Sequence, residues 1–214
     1  MATPSDTAVL RELARDLDGA FGAFVQAHAT DVYSAALRLS GSAADADDIA
    51  QDTFVRAYRA LRRFDAQRLA TLEPRPWLLT ITLNLWRNRL RAAARRPRTA
   101  PAGTGRDAVD GRPGPEALAV QADARRTLVG MLGELPEHHR VPVVLRHVVG
   151  LSYAEMAAVL ACPEGTVKAN VARGLDRLRT LDAAPDDAPR PGRRSPGPRR
   201  TGTRAVDTHR KEVR

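Results

Sequence analysis

Apolar positions recur every three to four residues between Phe21 and Arg96, and the alternation typical of strands is absent there. A first run sets Phe21, Phe24, Val25, Val32, Ala36 and Leu39 on one helical stripe and stops at Gly41. A second carries Ile49, Ala50, Phe54, Ala57, Tyr58 and Leu61. A third is expected to begin after Arg75-Pro76-Trp77, with Leu78, Leu79, Ile81, Leu85 and Leu90, and to end in an Arg-rich stretch. Three amphipathic helices are enough to close a small bundle. Ahead of them, residues 1–19 form a polar lead-in with some helical pattern around Leu10, Leu13 and Leu17 and read as a frayed first helix.

Pro and Gly then interrupt the pattern. Residues 97–115, PRTAPAGTGRDAVDGRPGP, have too little apolar content to pack and read as a flexible linker, its ends separated by about 25 Å. Helical patterning resumes over 116–181. From 182 to 214 large apolar residues nearly vanish and nine Lys and Arg face five Asp and Glu, the composition of a disordered basic tail. The expected organisation is all-α: an N-terminal extension 1–19, a helical domain 20–96, a linker 97–115, a second helical domain 116–181 and a tail 182–214.

Charge narrows the partner. The 214 residues carry a net charge of +9, which favours a polyanion. No run of 18 apolar residues exists to span a bilayer, and the N-terminus lacks the basic start and apolar core of a secretory signal, so membrane insertion is not expected and a cytoplasmic location is. Cys162 stands alone, which rules out an internal disulfide and a CxxC zinc site. His28, His138, His139, His147 and His209 show no metal-ligand spacing, His138 and His139 being expected on different helix faces. Asp47 and Asp48 have no convergent partner for a magnesium ion. No catalytic residue, metal or cofactor is therefore expected, and a nuclease or deaminase is the weakest reading.

The stretch LSYAEMAAVLACPEGTVKANVARGLDRLR, 151–179, holds two short helical patterns broken at ACPE. Ser152 and Glu155 form the S-x-x-E capping box. Met156, Val159 and Leu160 are expected to face inward. Pro163 suits a first helical position and Glu164 the positive end of the helix dipole. Val167, Val171, Gly174, Leu175 and Leu178 then share one face, with Thr166, Ala169, Asn170, Arg173 and Arg177 opposite and Lys168 on the flank. That outer face is the one a major groove would meet: Arg173 suits guanine, Asn170 adenine, and Ala169 offers only a methyl contact to thymine. Gly174 marks either a close helix approach or a weak point costing about 1 kcal/mol.

Two further stretches carry chemistry. DADDIAQDTFVRAYRALRRFD begins acidic, with Asp45, Asp47, Asp48 and Asp52, and ends basic, with Arg56, Arg59, Arg62 and Arg63. RPWLLTITLNLWRNRLRAAARR joins Trp77 and Trp86 to two Asn and a run of Arg, the pairing of rings and cations that captures unpaired bases. At least one of the two Trp is expected in the core. Taken in order, these three stretches resemble a bacterial RNA polymerase sigma factor of the extracytoplasmic function (ECF) class, built of a sigma-2 and a sigma-4 domain. The resemblance spans Phe21 to Arg96 and Arg125 to Leu181.

What it implies is specific. Asp45, Asp48, Gln51 and Asp52 would meet the beta-prime clamp helices of core RNA polymerase, and the sigma-4 part its beta flap. Phe64, Asp65 and the loop to Trp77 would shape the pocket for a flipped minus-10 base, with Asn84, Arg87, Asn88 and Arg91 near the DNA. Thr166, Lys168, Ala169, Asn170, Arg173 and Arg177 would read the minus-35 element. The resemblance also implies an anti-sigma partner. The segment DAQRLATLEPRP is longer than the family's usual loop, Thr80 stands where Arg is common, and Ala161 where the turn often has Gly. A free-standing helix-turn-helix regulator is the alternative, although the helix with which such proteins dimerise is missing.

Overall fold

The structure is a computed structural model that describes residues 4–95 and 127–183. The linker, the tail beyond Ala183 and the start of the second patterned segment lie outside the described residues. Among those described, every regular element is helical: α1 (Pro4–Arg15), α2 (Leu17–Ser40), α3 (Ala43–Leu61), α4 (Ala66–Ala70) and α5 (Pro74–Arg95), then α6 over 127–134, α7 (Glu137–Val144), a π turn (Leu145–Val149), α8 (Tyr153–Leu160) and α9 (Glu164–Asp182).

Local chemistry fixes these boundaries. Asp16 and Ser42 cap α2 and α3 by accepting from the backbone N–H of Gly19 and Asp45. Gly41, at φ 73°, ends α2 in the left-handed conformation that costs glycine nothing. The expected capping box opens α8: Ser152 Oγ accepts from Glu155 N at 3.2 Å, and Glu155 Oε2 accepts from Ser152 N at 2.7 Å. Ala161 ends α8 at φ 50°, which explains why glycine suits this turn. Pro163 precedes the first residue of α9 and serves as its N-cap, one position earlier than expected.

Three expectations need correction. The first helix is present but packed rather than frayed, because α1 buries Leu10 and Leu13 to 6% and 3% exposure. The third long helix starts at Pro74, before Trp77, since prolines in a first turn give up only N–H groups that have no helical partner. The stretch ahead of it also contains the short helix α4, centred on Leu69.

Two apolar clusters organise the interior. One joins Leu10 and Leu13 of α1 to Phe24 and Val32 of α2, Ala57 and Leu61 of α3, Leu69 of α4 and Leu78 of α5. The other joins Leu39, Ile49, Leu83 and Trp86 to Leu132, Leu135, Val144, Leu151, Met156 and Val171. The N-terminal and C-terminal helices therefore share a core. Among the described residues this core lies within one compact unit, where α5 packs on α8 and α2 on α7 and the π turn.

Candidate nucleic-acid and polymerase interfaces

Helix α3 presents two adjacent stripes. Asp45, Asp48 and Asp52, spaced by three and four residues, turn toward α5, where Arg89 approaches their carboxylates at 4.0, 3.5 and 3.6 Å. Arg89 also donates to Asp45 O at 3.0 Å. The next stripe is apolar: Phe54, Val55 and Tyr58 join Phe21 and Val25 of α2 in an open groove of about 640 Å³, with Gln51 and Arg59 at its rim. Val55 remains 42% exposed in it. The four residues expected to meet polymerase are thus divided, Gln51 on the groove and the three aspartates around one arginine. The sequence reading missed Arg89, whose partners lie 37 to 44 positions away.

Helix α5 is held against α3 by a buried pair of hydroxyls, Thr53 and Thr82, whose oxygens lie 3.3 Å apart. Each also donates to its own helix, Thr53 to Ile49 O and Thr82 to Leu78 O. Seven residues on from Thr82, Arg89 continues the same face. Helical spacing puts Trp77, Asn84, Asn88 and Arg91 on a different stripe, on which Asn84, Asn88 and Arg91 are exposed. Trp86 is the core tryptophan, at 4% exposure. Trp77 stays half-buried beside Phe64, ring centroids 5.6 Å apart. The Arg68 guanidinium lies 4.1 Å over the Phe64 ring. Asp65 caps α4 by accepting from Arg68 N at 2.7 Å, so it holds the loop's shape. Arg87 is occupied: its Nε donates to Glu137 of α7 at 2.7 Å.

In the C-terminal half, Thr166, Lys168, Arg173 and Arg177 are exposed on α9, while Ala169 and Asn170 are half-buried. Lys168 leans back to Glu164 at 3.6 Å and over the Tyr153 ring at 5.4 Å. Arg146, on the π turn, also covers that ring, at 4.9 Å. The inner face buries Val167, Val171 and Gly174. A Cβ at Gly174 would stand 2.6 Å from Val143 Cγ2 and 3.2 Å from His139 O, so this glycine marks a close approach of α9 to α7. Leu160, expected inward with Met156 and Val159, is only partly buried. His138 and His139 do not diverge, their ring centroids lying 4.2 Å apart. The His139 imidazole is held below its ordinary value by burial, with help from His138 and Arg173. Among the described residues no group of three His, Cys, Asp or Glu could hold a metal, and no helix is long and apolar enough to cross a membrane.

Similarity to known proteins follows this layout. Residues 24–96 match the family described as Sigma-70 region 2, and residues 125–178 match Sigma-70, region 4. The ECF RNA polymerase sigma factor SigC of Mycobacterium tuberculosis is 35% identical over 190 residues, which cover 87% of this chain and 97% of that protein. The chain belongs to the ECF RNA polymerase sigma factors. Of solved structures, CnrH in complex with the cytosolic domain of CnrY superposes on this sigma factor with TM-score 0.59 and 30% identity, over 83% of this chain and 96% of that one. The sigma factor RpoE of Bartonella quintana, in complex with the anti-sigma factor NepR, shares the fold at TM-score 0.52 and 24% identity, over 70% and 88% of the two chains.

Proposed function

We propose that this sigma factor binds core RNA polymerase, directs it to promoters through its region 2 and region 4 helices, and assists strand opening, with no catalysis of its own. The observation that carries this reading is the order of surfaces along the chain. An apolar groove on α3 precedes an aromatic, Asn and Arg stripe on α5, and a polar outer face on α9 follows. In this reading Gln51 and the apolar groove dock on the clamp helices, flanked by Asp45, Asp48 and Asp52. Phe64, Arg68 and Trp77 hold the flipped minus-10 base by stacking, with Asp65 shaping the loop. Asn84, Asn88 and Arg91, with Arg87 once it leaves Glu137, follow the strand. Thr166, Lys168, Ala169, Asn170, Arg173 and Arg177 read the minus-35 duplex.

Weak readers suit this arrangement. Fixed to one large enzyme, the two DNA contacts act as a pair, because the second becomes intramolecular once the first has formed. A protein working with polymerase on the genome acts in the cytoplasm. CnrH and RpoE were both captured with protein partners, and an anti-sigma partner is proposed here on that likeness. The test is reconstitution: core polymerase, this protein and a library of promoters should give specific starts that core alone does not. Absence of specific starts across the library would sink the reading. Tight, sequence-specific duplex binding without polymerase would favour a free-standing regulator instead.

A further inference from the structure

The stretch between α3 and α5 is held by local turn and cap bonds, and beyond them by a few apolar side chains at its ends and by Leu69. Asp65, Ala66, Gln67, Arg68, Ala70 and Thr71 are exposed, and Leu69, at 7% exposure, is the one side chain of α4 that turns inward. A helix of five residues does not persist in water without tertiary contacts. Yet this turn sets the position of Arg68, whose guanidinium covers Phe64, and Phe64 in turn packs on Trp77. Phe64 and Trp77 also rest on the apolar cluster that holds Leu69, so Leu69 is the contact that fixes α4, and with it Arg68, against those rings.

Leu69 is held in the apolar cluster that contains Leu10 and Leu13, and α1 is in direct contact with α4 as well as with α2. Helix α1 is itself packed along α2. Asp6, in its first turn, lies 3.7 Å from the buried His28 of α2. At its other end Asp16 N donates to Glu12 O while the Asp16 side chain caps α2, so the two helices join without slack. The chain of contact runs from α2 through Leu10 and Leu13 to Leu69, and on to Arg68, Phe64 and Trp77.

We propose that α1 is a positioning element for base selection: Leu10 and Leu13, by seating Leu69, fix the Phe64–Arg68–Trp77 cluster and so set how strictly the minus-10 base is discriminated. This rests on the assignment of that cluster to minus-10 capture made above. The expected consequence is a split in the effects of mutation. Leu13→Ala and Leu69→Ala in the full chain should lower discrimination among minus-10 bases by about tenfold. Discrimination at minus-35 should stay within about twofold, because α9 packs into the other apolar cluster, which holds none of Leu10, Leu13 and Leu69. Leu13→Met, which nearly conserves volume, should restore discrimination.

Two measurements decide it. Initiation is scored on promoters carrying each base at each minus-10 position, and hydrogen exchange is followed at the α4 amides of the free protein, with circular dichroism confirming that each variant folds. Faster α4 exchange together with flattened minus-10 discrimination supports the proposal. Unchanged exchange in Leu13→Ala overturns it, and so does faster exchange with discrimination intact. If the wild-type chain gives no initiation at all, the functional reading fails. The exchange arm then still decides whether α1 seats α4. Should Leu13→Ala not fold, Leu10→Ala carries both measurements.

Discussion

Gly174 shows how a single hydrogen atom can set a helix contact. In an exposed helix, replacing glycine by alanine would gain about 1 kcal/mol from propensity. Here the added methyl meets Val143 Cγ2 at 2.6 Å and the His139 carbonyl at 3.2 Å, and the backbone carbonyl cannot rotate away. Overpacking of this kind costs about 1–3 kcal/mol. Gly174→Ala is therefore expected to destabilise the C-terminal half by about 1 kcal/mol net, seen as a lower urea midpoint with unchanged slope. A rise in the midpoint would show that α9 shifts freely on α7. His28 gives a second residue-scale expectation. Burial holds its imidazole below the ordinary 6.5, against the raising influence of Asp6 and Asp31 and with a further lowering by Arg75. The folded state thus keeps it neutral where the unfolded chain would take up a proton. Its contribution is complete above pH 6.5 and is lost as pH falls below that value toward the folded pKa, by at most about 1.4 kcal/mol per unit. Urea titrations at pH 7.5 and 5.5 should show a smaller acid loss in His28→Gln than in the parent chain, the remainder reflecting His139, which burial shifts the same way. An identical loss in both chains would remove His28 from the account.

At the scale of elements, long periodic helices were legible and short or remote features were not. The stripes of α2 and α3 and the capping box of α8 follow from local spacing, which is why their positions agree with the sequence. Helix α4 has a single inward residue, below the window in which periodicity can register. Pro74 and Pro76 looked like a break, yet both lie in the first turn of α5, where proline is tolerated. Helix α1 read as frayed because the partners of Leu10 and Leu13 lie outside residues 1–19, some on the adjoining α2 and others as far along the chain as α4 and α5. The acidic stripe was read correctly as a cluster but not as a paired one, since Arg89 belongs to another helix. That pairing changes which part of α3 should matter for docking. With Arg89 drawn among the three aspartates, their net field is reduced, and the apolar groove at Val55 offers the larger desolvation gain. Val55→Asp is expected to weaken core polymerase binding by about tenfold or more while leaving stability within about 0.5 kcal/mol, because the side chain is already 42% exposed. Asp48→Ala should have the smaller effect. Fluorescence anisotropy with labelled chains tests the ranking, and a reversed order would return the docking energy to the carboxylates.

At the scale of the whole molecule, the packing of the two halves conflicts with the reach that the proposed function requires. Elements named for minus-10 and minus-35 lie about 25 base pairs apart, or roughly 85 Å along B-form DNA at about 3.4 Å per step. A compact body of about 150 residues, the number described here, has a radius of gyration of about 15 Å and measures roughly 40 Å across. With α5 against α8, Trp86 in the shared core and Arg87 donating to Glu137, the two helices proposed to face DNA cannot address both elements at once. The halves must part, and the residues between 95 and 127 can reach about 100 Å when fully extended. Parting would expose Leu83, Trp86, Leu132 and Leu135, so an opened chain needs polymerase or another apolar partner to cover what it uncovers. It would also free Arg87 and take Arg140 off the Trp86 ring and Leu39 O, leaving Arg140 its bonds to Gly133 O and Leu135 O. Fluorophores on cysteines introduced at the exposed Gln67 and Arg179, in a Cys162→Ser background, should report high energy transfer in the free protein. Addition of core polymerase should lower the transfer sharply, and promoter DNA should keep it low. Weakening the closed contacts with Glu137→Arg should bring the fall at lower polymerase concentration, since the closed state then competes less with binding. Transfer that stays high in a complex actively initiating at a two-element promoter would show that the closed packing survives on DNA.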